Sequence, residues 1–365
     1  MRSSLLTFFA VVSLSLANAQ VVNTGVTDNF DSVSVGKISI GGMIDTYYGY
    51  NFTFPKMSDR FYAVSSNRTN EMNINLAFID VKYKNNLVRA HFVPGFGTYM
   101  NENYAAETGS LKNIVEANVG VKLSKKKEIW LDAGVISSPF TNESAISKDH
   151  LMYTRSLSGE YVPYYLSGVK LSVPINNKFA FYGYVINGWQ EITNKTKGLS
   201  LATQLEYRPN KNVLINWDTY VGNEQTAIDP NIGMRYFTDV YLIYQSTKKF
   251  SLTSSAYVGM QKRLQHTSYW YQANVIGKWD FNKQHSLSGR LEYFNDSDLT
   301  IIQTALSSLN LFGAGLCYNY KINNNALFRL EYRYYNSGKQ QQFVANGTSF
   351  SNAYQFVMGN LTVWF

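Results

Sequence analysis

The stretch Tyr354–Phe365, YQFVMGNLTVWF, decides how the whole chain is read. Counting back from its end, Phe365, Val363, Leu361, Gly359 and Val357 share one face of an extended strand, while Trp364, Thr362, Asn360 and Met358 share the other. One face is oily and the other is mixed. A soluble sheet would cover the oily face with a second layer, but the sequence offers no helical patterns or long apolar runs from which to build one. Lipid is the remaining cover. A final strand ending on an aromatic residue is expected at the seam of a closed barrel, where it pairs with the first strand.

The composition agrees with that expectation. Among 365 residues there are 28 Tyr, 22 Phe and 6 Trp, yet only 16% are Asp, Glu, Lys or Arg. Past the first 20 residues no apolar run approaches the ~20 residues that a spanning helix needs. A transmembrane barrel alternates lipid-facing and lumen-facing residues, so its strands never look hydrophobic on average. The amino terminus has the form of a secretory signal: Arg2, an apolar core from Leu5 to Leu16, and Ala17-Asn18-Ala19 before Gln20. Residues 1–19 are assigned to that signal, residues 20–36 to a short periplasmic leader, and residues 37–365 to the barrel. A single cysteine, Cys317, excludes an internal disulfide and a Cys-based metal site, and the four His are scattered. The formal charge is +8, but its lysines gather in short turns such as Lys125-Lys126-Lys127 and Lys248-Lys249. That placement argues against a nucleic-acid partner.

From Lys37 onward the chain repeats one unit: a strand, a tight polar turn, a strand and a longer loop. Turns such as Asn85-Asn86, Pro174 to Lys178 and Asn323 to Asn325 carry residues that reverse a chain at little cost. The expected fold is all-β, a transmembrane antiparallel barrel of about 16 strands with short periplasmic turns and longer extracellular loops. About 16 strands enclose an aqueous channel, whereas 8 are filled by side chains. Alternation is weakest near Val213 and Ser251, which leaves 14 or 18 strands open.

Register follows from charge. A lipid-facing Arg or Lys at the midplane costs ~2–4 kcal/mol, so charged faces are assigned to the lumen. In the first strand Ile38, Ile40 and Ile44 face outward and Met43 and Asp45 inward. In Glu71 to Phe78, Met72, Ile74, Leu76 and Phe78 form one face, with Glu71, Asn73, Asn75 and Ala77 opposite. In Ala326 to Tyr335, Phe328, Leu330, Tyr332 and Tyr334 oppose Arg329, Glu331 and Arg333. The inward ionisable groups also include Glu116, Asp132, Glu206, Asp218, Asp239 and Glu292, against Arg89, Lys122, Lys170, Arg235, Lys278 and Arg290. The signs nearly cancel.

Several stretches then point to one family. LDAGVISSPFTNES (Leu131 to Ser144), MYTRSLS (Met152 to Ser158), the Val162-Pro163-Tyr164-Tyr165 step before SGVKLS, and Ile186-Asn187-Gly188-Trp189 together resemble the outer-membrane β-barrel porins of the OmpL-like type common in Bacteroidetes. GMIDTYYGYNF and NEMNINLAFIDVKY resemble that family's opening strands. The resemblance implies a pore in the Gram-negative outer membrane and supplies no catalytic residues.

By analogy with general porins, the long loop 138–163 is a candidate constriction carrying Glu143, Lys148, Asp149, Arg155 and Glu160. Glu143 and Arg155 are expected either to fix its fold or to line it. Arg290, Glu292, Arg329, Glu331 and Arg333 are candidate pore-lining residues on one wall. Simple cross-strand pairing is their plainer role.

Rival functions are weaker. A barrel hydrolase needs a nucleophile, a base and an orienting group in reach, and inward His91 lacks such company. An energised transporter needs roughly 22 strands and a plug. A surface adhesin stays open, with Phe61, Tyr62, Tyr99 and Tyr104 as loop aromatics able to meet glycans. Asp296-Ser297-Asp298 is read as a turn. The sequence thus leads to a pore for passive diffusion of small hydrophilic solutes or ions, with no cofactor and no metal. Its expected partners are outer-membrane lipid, those solutes, and the barrel-assembly machinery acting on the last strand. Self-association into an oligomer is left open.

Overall fold

The structure is a computed structural model that describes residues 36–365, apart from 197, 246–248, 303–307, 340 and 346–348. The secretory signal and nearly all of the leader lie outside the described residues.

Sixteen antiparallel strands form one closed barrel. In chain order they are β1 (Lys37–Asn51), β2 (Met72–Lys84), β3 (Val88–Phe96), β4 (Ile114–Lys122), β5 (Trp130–Ser137), β6 (Tyr165–Pro174), β7 (Phe179–Ile186) and β8 (Ser200–Asn210). They continue with β9 (Val213–Asn223), β10 (Ile232–Gln245), β11 (Phe250–Arg263), β12 (Thr267–Asp280), β13 (His285–Asp296), β14 (Leu309–Asn323) and β15 (Ala326–Asn336). A small hairpin, β16 (Phe343–Ala345) with β17 (Ser349–Ser351), precedes the closing strand β18 (Ala353–Trp364). The two hairpins of weakest alternation both form, which settles the count at 16.

The terminal strand does what its pattern implies. Ile44 pairs with Val363 and Tyr48 with Gly359, and Gly42 and Phe365 exchange backbone hydrogen bonds of 3.1 Å. Tyr354, Phe356, Met358, Asn360 and Thr362 are buried inside, while Leu361 and Val363 are exposed outside. With Ile40, Val119, Leu291 and Leu316 they belong to an apolar outer surface too extensive for a protein in water. Several described turns close on a local acceptor, as when the Asn85 side chain takes the amides of Leu87 and Val88 at 2.8 Å.

One register assignment is corrected. A β-bulge opposite Asp45 and Thr46 breaks the alternation of β2 at Asn75. Asn75 and Leu76 both turn inward, so Leu76 is 0% exposed and Ile79 is 52% exposed. Met72 and Ile74 stay outside, but Leu76 and Phe78 belong to the interior. The bulge is held by polar bonds: Asn75 Oδ1 accepts from the Ser66 amide at 2.7 Å, and its Nδ2 donates to Asp45 at 2.8 Å. It also brings Asp80 and Lys82 to the lumen side. Glu71 is not in the lumen; it lies before the strand and pairs with Arg68 at 3.0 Å.

Between β5 and β6 the wall makes a close approach. Gly134 and Gly168 are cross-strand partners with φ of +130° and +154°. A Cβ on either would lie 2.2 Å from a carbonyl oxygen of the next strand out. Only glycine fits there. This same pair of strands carries the long loop.

Candidate functional site

The loop between Ser137 and Tyr165 hydrogen-bonds to inward side chains of six strands and packs on a seventh. Near its start, the Thr141 amide donates to Asp239 Oδ2 on β10 at 2.8 Å, and Asn142 Nδ2 donates to Thr253 on β11 and Asn274 on β12 at 3.0 Å each. Next, Ser147 Oγ donates to Asp45 on β1 at 2.7 Å, while its carbonyl accepts from Arg329 on β15 at 2.7 Å. The Leu151 carbonyl accepts from Ser288 on β13 at 2.6 Å. Leu151 and Met152 pack with Cys317 on β14 and Ile276 on β12.

The densest contact is at Thr154. Its amide donates to Glu331 at 2.8 Å, its carbonyl accepts from Arg290 at 2.9 Å, and its hydroxyl oxygen accepts from Arg333 at 2.6 Å. Arg290 also donates to Glu331 at 2.9 Å and approaches Glu143 at 3.4 Å. Glu292 accepts from the Leu157 amide at 2.7 Å and pairs with Arg333. Arg329 reaches across to Asn360 at 2.8 Å and Thr362 at 3.2 Å. All five wall charges are nearly fully buried. They pair with one another across the strands and also hold the loop, through its backbone at Ser147, Met152, Thr154, Arg155 and Leu157 and through the Thr154 hydroxyl.

Of the loop charges, Glu143 and Arg155 each bond the loop's own backbone as well as reaching beyond it. Glu143 accepts from the Ser156 amide at 2.8 Å. Burial raises its carboxyl above the ordinary range, against the opposing charge of Arg290. Arg155 bonds the Ser144 carbonyl and lies 3.9 Å from the Tyr164 ring centroid and 5.2 Å from that of Tyr99. Glu160 ties in the first loop, accepting the Val64 and Ser65 amides at 3.0 and 2.9 Å. Lys148 pairs with Asp149 at 2.8 Å and stands 5.7 Å from the Trp364 ring.

Lys148 and Asp149 line a cavity of about 320 Å³ between the loop and the β1–β4 wall. Asp80, Lys82, His91, Glu116 and Trp364 share it. Both His91 ring nitrogens face carboxylates, Asp80 and Glu116, at 2.9 Å, and Lys82 reaches Asp80 at 3.1 Å. An adjoining space of about 170 Å³ adds Arg89, Asp132 and Lys170, with Arg89 bonded to Asp132 at 2.6 Å. The bulge in β2 hid Asp80 and Lys82 from the period-two reading.

The aromatics that were candidates for glycan contact are interior. Tyr62, Tyr99 and Tyr104 are buried, and Phe61 packs edge-on against Tyr354 at 5.1 Å. Asp296 closes its turn, accepting the amides of Thr300, Ile301 and Ile302 at 2.7–3.0 Å.

The family model described as "Putative beta-barrel porin-2, OmpL-like" matches residues 37–365. The chain belongs to that family. It is a channel-forming porin of the outer membrane, crossing it with strands. This porin's fold is similar to the outer membrane channel DcaP of Acinetobacter baumannii: TM-score 0.63 and 10% identity, over 93% of this chain and 100% of that one. It is similar also to an anion-selective porin from Comamonas acidovorans, with TM-score 0.59 and 8% identity over 91% and 100% of the two chains. The trimer form of OmpT from Vibrio cholerae follows at 0.57 and 11%, again over 91% and 100%. No curated protein matches the sequence.

Proposed function

We propose that this porin passes small hydrophilic solutes or ions down their own gradients, and that residues 138–163 form its constriction. The observation that carries the reading is the anchoring of one loop to inward side chains on β1 and β10–β15. A segment so held occupies cross-section that solutes would otherwise use. The cavity beneath it is lined by both signs of charge, as suits water-borne solutes of either sign more than apolar ones. No bond-making step or cofactor enters this reading, since His91 is held between two carboxylates with no nucleophile bonded to it.

Assembly follows the same reading. The outward Leu361, Val363 and Phe365 are the part of the last strand offered to the assembly machinery, and self-association would use the apolar outer wall. The test is planar-bilayer recording of the purified barrel under a salt gradient. Discrete conductance steps with a modest reversal potential are expected, and a bilayer that stays silent overturns the proposal.

A further inference from the structure

A second landing point of the loop has a different chemistry from the arginine-rich one. Asp218 on β9 and Asp239 on β10 are direct cross-strand partners. Both point inward, at 0% and 1% exposure. Side chains so placed have Cβ atoms about 4.5–5.5 Å apart, and like charges there repel. Neither Asp218 oxygen has a hydrogen-bond donor, nor does Asp239 Oδ1. Asp239 Oδ2 accepts the Thr141 amide at 2.8 Å.

The neighbouring cations are committed elsewhere. Arg208 is bonded to Glu206 at 2.7 Å. Lys170 sits 4.8 Å from the Tyr182 ring. Arg235 donates to Gln261 at 2.8 Å and lies over Trp189 at 5.0 Å.

Two further oxygens point the same way. Thr141, set against Asp239 by its own amide, has a buried hydroxyl with no partner. Asn216, one inward step along β9 from Asp218, turns its amide nitrogen to the Tyr241 hydroxyl, which leaves Oδ1 buried and without a donor. Five buried oxygens without a donor, two of them on Asp218, thus belong to this strand pair and to the loop residue bonded to it. Buried oxygens of this kind are costly unless something positive meets them. A hard divalent ion takes 6–8 oxygen ligands, from carboxylate, amide, hydroxyl and water together. Thr141 and Tyr241 both line the 320 Å³ cavity, which gives an ion a route in.

We propose that Asp218, Asp239, Asn216 and Thr141 bind a hard divalent cation of the calcium class, joining the start of the long loop to the β9–β10 wall. This goes beyond the pore reading and stands apart from it, since the ion is a fixed ligand of the wall whether or not other solutes pass.

The test uses the full folded chain in detergent, stripped with EDTA and titrated with Tb³⁺ under tyrosine excitation, with Tyr241 as the nearby donor. Saturable luminescence that CaCl₂ displaces is expected in the parent. In D218N/D239N the affinity should fall about tenfold or more, because ligand charge sets it. Equal luminescence in parent and variant overturns the proposal. Thermal unfolding of the parent in CaCl₂ against EDTA supplies a second readout that needs no variant. A higher Tm in CaCl₂ supports the site. If neither luminescence nor Tm responds to Ca²⁺, the two carboxylates share a proton instead and the site is lost.

Discussion

The long loop lands on two walls of opposite character. On β13–β15 it meets Arg290, Arg329 and Arg333, each bonded to loop carbonyls or hydroxyls, with Glu292 and Glu331 taking loop amides. On β9–β10 it meets Asp218 and Asp239, which receive a single amide between them. Charge on the first wall is met by opposite charge and loop groups, with only the Arg290 and Arg333 Nε atoms unpartnered, and on the second it is left over. A near-zero sum of inward charges therefore hides a strong segregation, and the two walls should respond oppositely to losing a charge.

The largest effect is expected on the arginine-rich wall. Arg333→Ala leaves buried Glu292 without its ion-pair partner and Glu331 with Arg290 alone, and breaking a buried pair in this way costs about 3–5 kcal/mol. Chemical denaturation in detergent should show that loss, and a wild-type midpoint would break the contrast between the walls.

Release of the loop has its own reporter. Cys317 is buried under Leu151 and Met152. Maleimide labelling of Cys317 should be slow in the parent and at least about tenfold faster in Arg333→Ala, because protection follows local opening. Equal rates would mean that the loop stays seated without its arginine.

The opposing wall should move the other way. In EDTA, Asp218→Asn relieves a like-charge pair and should raise stability by ~0.5–1 kcal/mol. A loss there would show that the pair is already satisfied.

The smallest effect is in pH. Burial, together with the charges of Arg155 and Arg329, holds the loop residue His150 well below the ordinary histidine range. Its pKa is lowered on folding, so the stability it contributes is present above the unfolded value near 6.5 and is lost as pH falls below it. Raised carboxyls at Glu143 and Asp149 act in the opposite sense, gaining stability as pH falls. His150→Gln should therefore remove an acid-side loss of Tm without changing the neutral value, and an unchanged profile would rule out that role.

Much of this was legible in the chain. Strands such as Ala326–Asn336 alternate Arg or Glu with Phe, Leu or Tyr, and lipid tolerates only one orientation of that pattern. The long loop was visible too, as the widest gap between alternating segments. Its anchoring was not, because carbonyls and amides such as those of Thr154 carry no sequence signal. Bulges also escape a period-two count, and Asn75 cost the correct placement of Leu76, Phe78 and Asp80. The Asp218–Asp239 pairing needed the strand register, although both residues were already assigned inward.

The most direct test of the central claim compares single-channel conductance of the parent with that of a variant lacking residues 144–156, in the same bilayer and salt. An anchored loop that occupies the lumen predicts a clear rise in conductance on deletion. Unchanged conductance, in a variant that still inserts and still forms discrete steps, would contradict it.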